Sequence, residues 1–190
     1  MNTMKTTIKI LMIMLLSVYF NQLIAQVTTN PDSVCFGSTN ESYWVNPNAN
    51  STFSWSIDPS IGAVITSATN TDNITVDWSG ASIGFYTDAI TLVETDISSG
   101  CSGFITIDVE VLPLPTATIG DDVTACVTGL IPDLLAIGAE VTWYDDINLT
   151  NLVGTGNYLA TGQTAVGVYT YYATETLNGC EGPAIAITLT

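Results

Sequence analysis

The reactive side chains of this 190-residue chain are four cysteines, at positions 35, 101, 126 and 180, and eighteen carboxylates. There is no histidine and no arginine, and the two lysines, Lys5 and Lys9, both lie near the start. That inventory excludes most chemistry. A serine or threonine nucleophile has no His or Lys base to activate it, and cysteines that are oxidised can act neither as nucleophiles nor as zinc ligands. Phosphate neutralisation needs Lys or Arg, so nucleic acid and anionic lipid are not expected partners. Carboxylate chemistry is what remains. A two-carboxylate glycosidase needs a cleft to hold its sugar, and no insertion in the chain is long enough to build one, so the expectation is a protein that is not an enzyme, with no catalytic residues.

Binding is the next possibility. The pair Asp121-Asp122 could take Ca²⁺ as the only cofactor, and Asp145-Asp146 is a second acidic pair following a Trp strand. Two adjacent carboxylates supply few of the six to eight oxygens that Ca²⁺ takes, so solvated turn acids are the simpler reading. Tyr43-Trp44 stands outside any clean alternation and is the candidate glycan contact, with packing at a domain edge as the alternative. The formal net charge of −16 has no internal ion-pair partners beyond Lys9 and suits an acidic, solubilising surface without tryptic sites.

Those residues need a compartment and a scaffold. Lys5 and Lys9 flank the start of an apolar run over residues 10–20, and Leu23-Ile24-Ala25 precedes Gln26, which has the form of a secretory signal peptide over residues 1–25. The run is too short to span a bilayer, so a secreted, extracellular or cell-surface location is expected, without direct membrane insertion. Exported cysteines should be oxidised. Of the three possible connectivities, the sequential one, Cys35–Cys101 with Cys126–Cys180, gives each half of the chain its own staple, each stabilising by roughly 4 kcal/mol on the loop-entropy model.

The pattern is all-β. Phe53, Trp55 and Ile57 alternate with polar residues, as do Ile74, Val76 and Trp78, and a hairpin is expected over residues 86–111 with its turn at Ser98-Ser99-Gly100-Cys101. Leu112-Pro113-Leu114-Pro115 is a short stiff connector. The expected organisation is therefore a first domain over 26–113, a Pro-containing linker over 114–120 and a second domain over 121–190. In the second, Val141-Thr142-Trp143-Tyr144 is a strand, and two β-rich runs flank an Asn178-Gly179 turn that presents Cys180. Each half thus has an early Cys, a Trp strand and a terminal hairpin with a late Cys, the ingredients of two tandem immunoglobulin-like β-sandwiches. Both late cysteines fall at a hairpin turn rather than within a strand, a departure from antibody-type domains. The last strand stops at Thr190 with no exit segment, as expected of an N-terminal piece of a longer multi-module protein.

Trp143-Tyr144-Asp145, Gly154-Thr155-Gly156 with Tyr158, Tyr169-Thr170-Tyr171-Tyr172-Ala173 and Asn178-Gly179-Cys180-Glu181-Gly182-Pro183 resemble the Ig-like modules of Bacteroidota surface proteins, including type IX-secreted adhesins and gliding-motility-associated proteins. Relatives often carry an Arg just after the Cys segment. This chain has Ala184 there, so no contact of that Arg carries over. The first domain resembles the PKD-like modules of the same proteins through Val34-Cys35-Phe36-Gly37, Phe53-Ser54-Trp55, Ile74-Thr75-Val76-Asp77-Trp78 and Gly100-Cys101-Ser102-Gly103. The resemblance implies a stalk or adhesin segment with no chemistry of its own, whose partners are other surface modules or cell-surface polysaccharides. A carbohydrate-binding secreted protein using Tyr43 and Trp44, or an accessory region of a larger secreted hydrolase, are the alternatives.

Overall fold

The computed structural model describes residues 26–27, 32–47, 50–126 and 129–190; the expected signal peptide lies outside them. The described chain is all-β, without a helix, and divides into two compact units that part between Pro113 and Leu114.

The first unit contains β1 (Gln26–Val27), β2 (Asp32–Cys35), β3 (Glu41–Trp44), β4 (Ser51–Ile57), β5 (Val64–Ile65), β6 (Asn73–Asp77), β7 (Gly84–Asp96) and β8 (Ser102–Leu112). One sheet runs β1-β8-β7-β4 with β2 also paired to β8; the other is β3-β6-β5. The alternation in β4 is obeyed: Phe53 and Trp55 are buried while Ser54 and Ser56 face solvent. Period 2 sends alternate side chains to opposite faces, so such a strand has one dry side. Trp55, Trp78, Ile74, Val76, Ile90, Ile107 and Val109 meet between the two sheets as a single core. The β7–β8 turn is built by Asp96, whose Oδ1 accepts the backbone N–H groups of Ser98 and Ser99, both at 2.8 Å. Gly100 completes it at φ +70°, where a Cβ would be strained. Gly62 and Gly80 bring two turns together so closely that a Cβ on Gly80 would stand 2.5 Å from the Gly62 carbonyl oxygen.

The second unit contains β9 (Leu134–Leu135), β10 (Val141–Tyr144), β11 (Leu152–Thr155), β12 (Tyr158–Leu159), β13 (Tyr169–Leu177), β14 (Cys180–Glu181) and β15 (Ile185–Leu189). The larger sheet is β11-β10-β13-β14, with β15 also on β13; β9 and β12 form the facing layer. Trp143, Leu134, Ala136, Tyr171, Ala173 and Ile187 fill the space between, and the Trp143 indole N–H donates to the Gly156 carbonyl at 2.8 Å. Asn178 and Gly179 take φ +52° and +82°, the consecutive left-handed pair of a tight hairpin, and Leu177 faces Cys180 across it.

Both units share one non-local feature. In the first, β2 runs parallel to the last strand, from Asp32 opposite Val109 to Cys35 opposite Leu112. In the second, Val123 makes a parallel bridge to Leu189. A lead strand parallel to the last strand, with an otherwise antiparallel two-layer sandwich, is the immunoglobulin-like arrangement.

Candidate functional site

The candidate aromatic pair is split by its own strand. Tyr43 is 4% exposed and belongs to the core, whereas Trp44 is 37% exposed on the outer face of the β3-β6-β5 sheet. The expectation of a two-ring glycan contact is corrected accordingly: neighbours in a strand cannot share a face, and Tyr43 is the inward one. Trp44 lies opposite Asn73, and Ser42, two residues before it, lies opposite Thr75. Opposed residues of an antiparallel pair share a face, so one indole stands among an amide and two hydroxyls. That combination of a flat apolar ring and small hydrogen-bonding groups is a surface on which a sugar ring can stack. Val64 and Asp77, opposite one another on β5 and β6, continue the sheet beside it.

The disulfide pairing is also corrected. Cys101 and Cys126 carry free, exposed thiols, so neither Cys35–Cys101 nor Cys126–Cys180 forms. The parallel lead strand is the physical reason in both units. Cys35 lies opposite Leu112 at the end of β8, while Cys101 precedes its beginning at Ser102. Residues 101 and 112 of an extended strand are roughly 36 Å apart at about 3.3 Å per residue. A disulfide requires Cα atoms within about 7 Å. The second unit repeats this. The Ala125 N–H donates to the Thr190 carbonyl at 2.8 Å, which places Cys126 past the end of β15, whereas Cys180 begins β14 at the other end of the same edge.

Several of the acids are occupied by the backbone. Asp122 Oδ1 accepts the Thr188 N–H at 2.7 Å and so extends the parallel bridge of Val123; Asp121 stands exposed beside it. Among the described residues, no three or more His, Cys, Asp or Glu side chains gather in a way that could hold a metal ion. Asp146 folds its own loop, accepting the N–H groups of Asn148, Thr150 and Asn151 at 2.9, 2.9 and 2.7 Å. The Asn151 N–H and its companions hold that carboxyl below its ordinary range. Asp58 and Asp77 make the same turn with Ser60 and Ser79, also with lowered pKa. Asp96, with the most donors, is pulled down to about 2, chiefly by the Ser98 and Ser99 groups.

A polar group not anticipated from the sequence sits beside the terminal hairpin. Glu181 Oε1 accepts the Tyr144 hydroxyl at 2.8 Å and the Thr174 hydroxyl at 2.7 Å, tying β14 to β10 and β13. Thr174 is fully buried. Burial first, then the Glu181 charge, push the Tyr144 phenol up to about 12. The Asn178-Gly179 turn was the available signal. It fixes Thr176 opposite Glu181 and so carries the Glu181 carboxylate back along β13.

No protein-family model matches the chain, and no curated protein matches it. Among solved structures, similarity is found to a SusE-like surface-located polysaccharide-binding protein from the heparin utilisation locus of Bacteroides thetaiotaomicron. The identity is 12%, the TM-score 0.35, and the match covers 84% of this chain and 32% of that one. The chain thus spans about a third of the length of that protein. Human protocadherin-24 EC1-2 is similar over 86% of this chain and 95% of its own, at 11% identity and TM-score 0.30. The titin domains Z1Z2, solved in complex with telethonin, match over 84% and 90%, at 13% identity and TM-score 0.27. The fold assignment itself rests on the strand pairings above.

Proposed function

We propose that the chain is a non-catalytic, exported pair of modules, PKD-like then Ig-like, acting as a stalk or adhesin segment at the cell surface in the manner of type IX-secreted and gliding-associated proteins. One observation carries the reading: three of the four tryptophans and several of the carboxylates are already engaged in structure. Trp55, Trp78 and Trp143 are buried in cores, and Asp58, Asp77, Asp96 and Asp146 each hold backbone N–H groups of their own turns. Side chains used this way fix loops rather than turn over substrate. Cys35 and Cys180 are each disulfide-bonded, which suits an oxidising exterior. Among the described residues, no helix is long and apolar enough to cross a membrane. The test is deletion of the coding region for residues 26–190 in the producing cell. Surface attachment or gliding falls, while extracellular polysaccharide hydrolysis is unchanged. Unaltered attachment and gliding, or measurable polysaccharide turnover by the purified chain, refutes the proposal.

A second reading, polysaccharide binding, is favoured by Trp44 alone, through its exposure among Ser42, Asn73 and Thr75. Retardation of the purified chain in polysaccharide-containing gels, lost in Trp44→Ala, would establish it.

A further inference from the structure

β2 is held in the first unit by two inward side chains, Asp32 and Val34, while Ser33 and Cys35 face the other way. One of its two anchors is therefore an acid, only 8% exposed. The groups that meet it come from every neighbouring element. From β3, the Tyr43 hydroxyl faces the Asp32 carboxyl, and Glu41, two residues earlier on the same face, adds a second negative charge. From beyond β6, Trp78 brings its indole N–H toward the Tyr43 hydroxyl. From β8, the register partner is the fully buried Val109, while Asp108 and Glu110 alternate to the opposite face. The Tyr43 hydroxyl and the Trp78 N–H do not reach hydrogen-bonding geometry with any partner, although both are buried. Nothing in this cluster supplies a positive charge, and no side chain after Lys9 can. A carboxylate ionised in such a place is uncompensated, and a buried charge without a partner is strongly disfavoured.

We infer that β2 is a proton-dependent latch: the strand docks firmly on β8 while Asp32 is a neutral carboxylic acid and loosens when Asp32 ionises. The proton acts as the counter-ion that the sequence lacks. Supporting this, burial raises the Asp32 pKa more than the Tyr43 hydroxyl and the Ser33 amide lower it, and burial and then Asp32 raise that of Glu41. The sign follows from linkage. Undocked β2 releases its proton near the ordinary carboxylate value and docked β2 at a higher pH, so docking is fully favoured below the undocked pKa and weakens as pH rises through the docked one. Within that window each pH unit shifts the opening equilibrium by up to tenfold. This is opposite in direction to the Asp58, Asp77, Asp96 and Asp146 turns, which weaken as pH falls.

The test is amide hydrogen exchange on the whole exported chain from acid to mildly alkaline pH, corrected for intrinsic exchange. The readout is residues 32–36, where the Phe36 N–H donates to the Leu112 carbonyl at 2.8 Å. Protection there falls as pH rises, while that of β4 stays level. Asp32→Asn stays protected throughout. Glu41→Gln, which removes the neighbouring negative charge, makes the fall smaller and moves it to lower pH, and Tyr43→Phe, which removes the hydroxyl that faces the ionised carboxyl and lowers its pKa, moves it to higher pH. A wild type whose protection does not change with pH, or an Asp32→Asn variant with the wild-type fall, overturns the inference. Added Ca²⁺ that restores protection at alkaline pH also overturns it, by making the site a cation site rather than a proton site.

Discussion

Replacing Glu181 by Ala removes the acceptor of two hydroxyls at once, and the structure sets the size of the effect. Thr174 is fully buried, so water cannot take over for its hydroxyl; Tyr144, at 8% exposed, is only slightly more open. Leaving one buried polar group unsatisfied costs about 1–3 kcal/mol, and hydrogen bonds to a charged acceptor lie at the upper end of their range. The expected loss is about 2–3 kcal/mol, confined to the unit from Leu114 onward. For a domain of that size this lowers Tm by on the order of 10–20 °C. Urea unfolding followed by Trp143 fluorescence measures it, with Thr174→Val and the double variant closing a cycle whose coupling isolates the hydroxyl–carboxylate pair. Ultraviolet titration of the tyrosines adds an independent reading: the Tyr144 phenol, at about 12 in the native protein, moves back toward its ordinary value but stays above it, because burial is the larger cause. A loss below about 0.5 kcal/mol, typical of surface substitutions, with an unmoved phenol would refute the reasoning.

Four further outcomes are expected. Gly80→Ala drives a Cβ against the Gly62 carbonyl and destabilises the first unit by about 1–3 kcal/mol in urea unfolding, whereas Gly156→Ala meets only its positive φ and costs less. Native alkylation labels Cys101 and Cys126 but spares Cys35 and Cys180, and peptide mass mapping reads this directly. Because the Asp96 pKa is depressed to about 2, its turn contributes stability above the ordinary carboxylate value that is lost as pH falls toward 2; Asp96→Asn flattens that part of the acid unfolding curve. Trp44→Ala changes stability by no more than about 0.5 kcal/mol while abolishing any polysaccharide retention, as measured by unfolding and by affinity electrophoresis.

What the sequence discloses and what it conceals divide along the distance over which each feature is decided. Phe53 and Trp55 could be assigned to a core because period-2 alternation is local, and the Asn178-Gly179 hairpin because two left-handed residues suffice to specify it. Tyr43-Trp44 was legible in principle: adjacent strand residues face opposite ways, and only the short span of β3 hid that it is a strand. The cysteine pairing was not legible. It depends on β2 lying parallel to β8 rather than antiparallel, a choice settled by packing between segments nearly eighty residues apart. Glu181 illustrates the intermediate case, since the turn fixes its register but only the folded sheet brings Tyr144 within reach.

The parallel lead strand also determines how each unit bears load. A chain pulled by its two ends draws the first and last strands past one another, so hydrogen bonds between parallel neighbours are stretched together rather than opened one by one. The first unit opposes such shear with the four-residue pairing of β2 and the two-residue pairing of β1 against β8. Among the described residues, the second has the Val123–Leu189 bridge, in which the Val123 N–H donates to the Thr188 carbonyl at 2.8 Å and the Thr190 N–H to the Val123 carbonyl at 2.9 Å, with the Ala125–Thr190 bond beside it. Under tension the two sandwiches are therefore unequal links, with the second yielding first and the first, when Asp32 is protonated, the stronger grip.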